Sequence, residues 1–143
     1  SGGNLFPYNK ARSIKSEEIN PILELENVDF YSLEKKPSIT NNKIIPLDSY
    51  LTDFSKTAAM IKHLDVVITV CTCVAHISAA LGKETWILID SISSGIYWML
   101  EREDSPWYKS VTLFRKPIGE DCWQTPLEKV RNKLISLKGS SEV

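Results

Sequence analysis

Cys71, Cys73 and His76 stand within one short stretch, with Thr72 between the two thiols. Such a group suggests three chemistries: a zinc site, a thiol redox pair, or the start of a helix built to hold an anion. Zinc wants four ligands, commonly from paired short spacings. Here Cys122 and His63 are far along the chain and no second pair exists, so no metal is expected. A redox pair usually keeps two residues between its cysteines, not one. Both thiols read equally well as small filler in a tight turn. Thr72 and His76 favour the anion. The hydroxyl can cap a helix or donate, His76 lies one turn in, and a histidine beside a phosphate gains proton affinity.

An anion site there needs a strand before the turn and a helix after it. Asp65 to Val70 is a continuous apolar run, the pattern of a parallel strand covered on both faces. Residues 72–81 predict a helix, closed by Gly82 where a left-handed residue is wanted. Free amides of the first helical turn and the helix dipole favour an anion at that point. The other elements follow the same alternation. A helix is predicted over 16–26, opening with Ser16, Glu17 and Glu18; "VDFYSL" (28–33) and "IIPL" (44–47) predict short strands. A helix follows over 53–64, capped by Asp53 or Ser55, then strands over 84–89 and 111–115 and a closing helix over 126–137. Strands alternating with helices indicate a doubly wound α/β domain, whose ligands sit beyond the carboxyl ends of its strands. One domain is expected over residues 1–138, with 139–143 a flexible tail. No buried strand opens the chain. The first strand is therefore expected from elsewhere, or the sheet is differently built.

Composition removes several function classes. The 143 residues carry 17 Lys plus Arg and 18 Asp plus Glu, a net charge of -1, so no basic excess exists to recruit nucleic acid. No apolar run approaches the roughly 20 residues that span a bilayer, and no signal peptide is recognisable. Three cysteines, few and odd in number, argue against a disulfide framework and point to a reducing, cytoplasmic compartment. Four tryptophans invite a sugar-stacking role. Trp86 is better read as core within a strand, whereas Trp98 and Trp107 flank a loop at the ligand edge.

"DVVITVCTCVAHISAALGKETWILI", followed by "WMLEREDSPWYKSVTLFRKP", resembles the C-terminal domain of bacterial heptosyltransferase-like glycosyltransferases, closest to the group associated with tetratricopeptide repeats. The resemblance rests on Thr72, His76, Gly82 and Lys83, then on Asp104, Ser105, Pro106, Trp107 and Tyr108, and on Arg115. It implies a Rossmann-like doubly wound, mainly parallel sheet, the nucleotide-sugar-binding half of a GT-B transferase lacking its first strand. It also implies site roles. Cys71, Thr72, Cys73, Val74 and His76 would surround the donor diphosphate, and Lys10 and Arg12 would neutralise its charge. Leu33 and Glu34 would meet the ribose or base, as would Phe54 and Met60, and Trp98 would stand near the sugar. No metal or other cofactor is implied. This sequence departs from the family at Cys71, where an aspartate is usual, and at Gly95 and Tyr97, where an acid and a base are lost. The implied function is nucleotide-sugar binding, with hexosyl or heptosyl transfer incomplete without an acceptor-binding domain or second chain. The alternative is a non-catalytic remnant that self-associates, a homo-oligomer completing the sheet, or that binds other proteins.

Overall fold

The computed structural model describes residues 13–91 and 95–141. The chain is an α/β protein with two parallel sheets and five helices among the described residues. Helix α1 (Ser16–Leu23) leads into strands β1 (Phe30–Ser32) and β2 (Ile44–Pro46), which pair with Phe30 beside Ile44. Helix α2 (Phe54–His63) and strand β3 (Val67–Val70) follow, then α3 (Cys73–Ala80) and β4 (Thr85–Ile89). A short helix α4 (Gly95–Trp98), strand β5 (Val111–Arg115) and helix α5 (Gln124–Ser141) complete the order. Strands β3, β4 and β5 form the second sheet, all parallel, with β4 in the middle. The one mainly parallel sheet expected from sequence is therefore divided into a pair and a triplet.

Strand β4 shows why the triplet is the core. All five residues of "TWILI" are buried, and alternate side chains point to opposite faces. Trp86 and Leu88 pack with Phe114 of β5 against Ile22 of α1 and Leu127, Val130 and Leu134 of α5. Ile87 and Ile89 pack with Val111 and Leu113 against Ala75 and Ala79 of α3 and against Trp98. A strand without a polar face is stable only when helices cover both sides, and here they do.

The helix ends are set by local chemistry. Lys15, not Ser16, is the cap of α1, and the Glu18 carboxylate accepts the Lys15 amide at 2.9 Å. The other Glu18 oxygen takes the Trp123 amide at 2.7 Å, which ties α1 to the approach of α5. Asp53 caps α2 by accepting the Lys56 amide at 2.8 Å. Gly82 sits at φ 70°, the left-handed geometry expected of a helix terminator. Helix α5 runs on to Ser141, into the stretch read from sequence as a flexible tail. Lys138 donates to the Glu26 carbonyl there, which anchors the polar last turns. No described helix is long and apolar enough to cross a membrane.

Candidate functional site

Strand β3 ends at Val70, and α3 begins at Cys73, so Cys71 and Thr72 make the whole turn between them. Thr72 occupies the cap position in extended geometry (φ -138°, ψ 178°), but its hydroxyl does not cap the helix. It lies 3.3 Å from the Thr69 hydroxyl instead. The Ala75 amide bonds back to the Thr72 carbonyl at 3.1 Å. The amides of Cys73 and Val74 donate to no described residue. Two helix-start donors and a hydroxyl thus stand together at the carboxyl end of a parallel strand, the arrangement that favours an anion.

Thr72, Cys73 and Val74 line a cleft of about 1970 Å³, and Leu33 and Glu34 line it too. Those two follow β1 of the other sheet. Glu34 is half-buried, and its Oε2 accepts the Ser38 amide at 2.6 Å and the Ser38 hydroxyl at 2.7 Å. Burial works to raise the Glu34 carboxyl, but its hydrogen bonds, those from Ser38 among them, outweigh burial and hold it below the ordinary glutamate value. Lys35 and Lys36 share the cleft and bring positive charge to it. Sequence reasoning passed over both lysines, although their place directly after Glu34 was the available signal. Phe54 lines the cleft as well, whereas Met60 does not.

Cys71, His76 and Trp98 belong to a second cluster behind the turn. Trp98 is 1% exposed, and its indole N–H donates to the Cys71 sulfur at 3.1 Å. The His76 ring stacks on Trp98 at 5.0 Å with 26° between planes, and meets Tyr97 edge-on at 5.0 Å. Nδ1 of His76 and the Tyr108 hydroxyl stand 3.5 Å apart, the long limit of a hydrogen bond. Ser105 sets Tyr108 in place by accepting the amides of Trp107 and Tyr108 at 3.2 and 3.3 Å. Trp107, by contrast, is 66% exposed. Trp98 therefore supports the turn from behind rather than standing along the cleft.

Arg115 holds this cluster to the sheet. Its guanidinium donates to the carbonyl of Arg102 at 2.8 Å, of Trp98 at 2.8 Å and of Met99 at 2.6 Å. Burial draws its pKa below the ordinary arginine value, while the charge persists near neutrality. The held segment contains Met99 at φ 53° and Glu101 at φ 57°, both left-handed without being glycine. Such residues persist where surroundings over-determine them. Lys83 acts on the fold rather than on the cleft, because its ammonium caps the carbonyls of Lys62 and Leu64 at the end of α2.

Lys10 and Arg12 lie outside the described residues. Among the described residues no three His, Cys, Asp or Glu side chains converge as a metal site requires. Cys73 and Cys122 are exposed and Cys71 is turned to Trp98. Compared with protein-family models, with curated proteins and with solved structures, the chain finds no match in any of the three.

Proposed function

We propose that this chain is a nucleotide-sugar-binding domain of glycosyltransferase type. The donor's diphosphate lies on the amides of Cys73 and Val74 with the Thr72 hydroxyl. The nucleoside extends toward Leu33 and Glu34, and Lys35 and Lys36 offset the phosphate charge. The observation that carries this reading is the pair of undonated amides at the start of α3, directly after a parallel strand and in one cleft with β1's exit. Backbone donors do not depend on side-chain identity, so binding tolerates Cys71 where the resembled family has aspartate. The finer fold reading is a Rossmann-like sheet of the GT-B half, short of its first strand. The division between the two sheets supports it, since omitting a central strand would leave β1 and β3 as facing edges. Transfer itself calls for an acceptor-binding partner domain or second chain, and a cytoplasmic location accompanies the reading.

The second reading is a non-catalytic interaction module, and the same two open edges favour it. Binding measured by calorimetry separates the two. A nucleotide-sugar site should weaken on Lys35→Ala with Lys36→Ala, which remove the positive charge that lines the cleft. Unchanged affinity in that double variant, or no binding by the parent chain, sinks the nucleotide-sugar reading and leaves the module.

A further inference from the structure

Among the described residues β1 and β3 each pair with a strand on one side only, and all of both strands lines the cleft. In a parallel pair, alternate residues bond the neighbouring strand and those between point the other way. Val67 donates to the Glu84 carbonyl at 2.9 Å, so Val67 and Thr69 face β4 while Ile68 and Val70 face the cleft. Leu47 donates to the Ser32 carbonyl at 3.3 Å, so Phe30 and Ser32 face β2 while Tyr31 faces the cleft. By that alternation the amides of Tyr31, Ile68 and Val70 are turned away from the strands that β1 and β3 pair with. Rows of unpaired strand donors and acceptors are templates for another strand.

The surroundings define that strand. Ile22 and Leu134 line the cleft from the side of α1 and α5, and Thr57 and Ile77 from the side of α2 and α3. An occupant is covered on both faces, so it must be apolar on both, as buried parallel strands are. Asp29 and Asp65 stand just before β1 and β3, line the same cleft, and form no ion pair with a described residue. They call for a basic residue ahead of the apolar run. Size agrees: about 1970 Å³ is roughly twice the largest usual small-molecule pocket of about 1,000 Å³. A nucleotide at the α3 end leaves the space between the strands unfilled.

We propose that the cleft is a β-strand acceptor. A segment of a second polypeptide, basic and then apolar over about four residues, enters parallel to β1 and β3 and joins the two sheets into one. A second copy of this chain fits less well, because its edge strands β2 and β5 each arrive backed by a partner strand. The proposal does not rest on the nucleotide reading, which concerns the amides of Cys73 and Val74.

The test is a titration of the ¹⁵N-labelled full chain with the peptide acetyl-Lys-Lys-Val-Ile-Val-Ile-Gly-Ser-amide. The expected result is saturable shifts at Tyr31, Ile68 and Val70, with hydrogen exchange there slowed by about tenfold or more. Tyr31→Pro removes a donor that faces only the cleft and should weaken binding by about tenfold. A peptide with proline in place of its first Ile should not bind, a control that cannot unfold the protein. Absence of shifts in a folded sample overturns the proposal, as does equal binding of the proline peptide. Protection of these amides without peptide also overturns it, whether in a monomer, where the chain fills its own slot, or in a sedimenting dimer.

Discussion

Arg115→Met removes the guanidinium while keeping a side chain of similar reach. Three carbonyls, of Trp98, Met99 and Arg102, lose a charged donor. Hydrogen bonds to charged groups contribute about 1.5–3 kcal/mol each, so a simple sum would be about 4–9 kcal/mol. That sum is too large for two reasons. The carbonyls of a surface segment can turn to water, and once released the segment sheds the strain of Met99 and Glu101, about 1–2 kcal/mol apiece. The net loss works out near 2–3 kcal/mol, a large share of the stability of an ordinary domain. Urea unfolding followed by circular dichroism measures it. A local reporter accompanies it: the Trp98 indole N–H, bonded to the Cys71 sulfur in the parent, should move to the position of a solvated indole. Arg115→Lys should recover little, because one ammonium cannot serve three separated carbonyls as a planar fork does. Met99→Gly, which relieves the left-handed residue, should stabilise by about 0.5–1 kcal/mol. A loss below about 0.5 kcal/mol in Arg115→Met, with the indole signal unmoved, would refute the reasoning. Burial of Trp98 alone would then hold the segment.

Two neighbouring helix starts should respond differently to loss of their polar caps. Asp53→Ala removes a carboxylate that caps the Lys56 amide and should cost about 1 kcal/mol. Thr72→Ala, at a cap whose hydroxyl makes no capping bond, should cost about 0.5 kcal/mol or less while weakening nucleotide diphosphates, as denaturation and calorimetry will show. Arg102 grips Asp104 through two bonds of 2.7 and 2.9 Å, and this hydrogen bonding holds the Asp104 carboxyl below the ordinary aspartate value. A depressed carboxylate stabilises above its unfolded pKa and loses that contribution as pH falls through the folded one. Carboxyl ¹³C titration should show the depression in the parent and its disappearance in Arg102→Gln.

Some of this architecture was legible in the residues. "TWILI" announced a strand buried on both faces because it has no polar alternate position, and Gly82 marked the end of α3 because a left-handed turn is cheap only for glycine. Asp53 was readable as one of two caps, with Ser55 the other, from its place ahead of an amphipathic run, and the structure selects Asp53. The division of the sheet was harder to see. Hydrophobic pattern says which residues are buried but not which strands pair, so the separation of β1 from β3 needed coordinates. The four-residue helix at Gly95–Trp98 is too short to carry a period. Trp98 read as a ligand-edge aromatic because it flanks a loop, while its burial depends on Cys71 and His76 from another element. The Arg115 clamp reaches carbonyls 13 to 17 residues away, and carbonyls have no side-chain signature. The end of α5 escaped because "KGSS" has poor helix propensity, overridden here by the tie from Lys138 to Glu26.

The most direct test of the site is an amide NMR titration of the full chain with UDP, GDP, ADP and CMP, each alone and as a sugar conjugate. The account predicts saturable shifts at Cys73 and Val74, joined by Leu33 and Glu34, for one nucleoside diphosphate, with the monophosphate CMP weaker. A folded sample that shows no shifts, or shifts that leave the amides of Cys73 and Val74 unmoved, would contradict it.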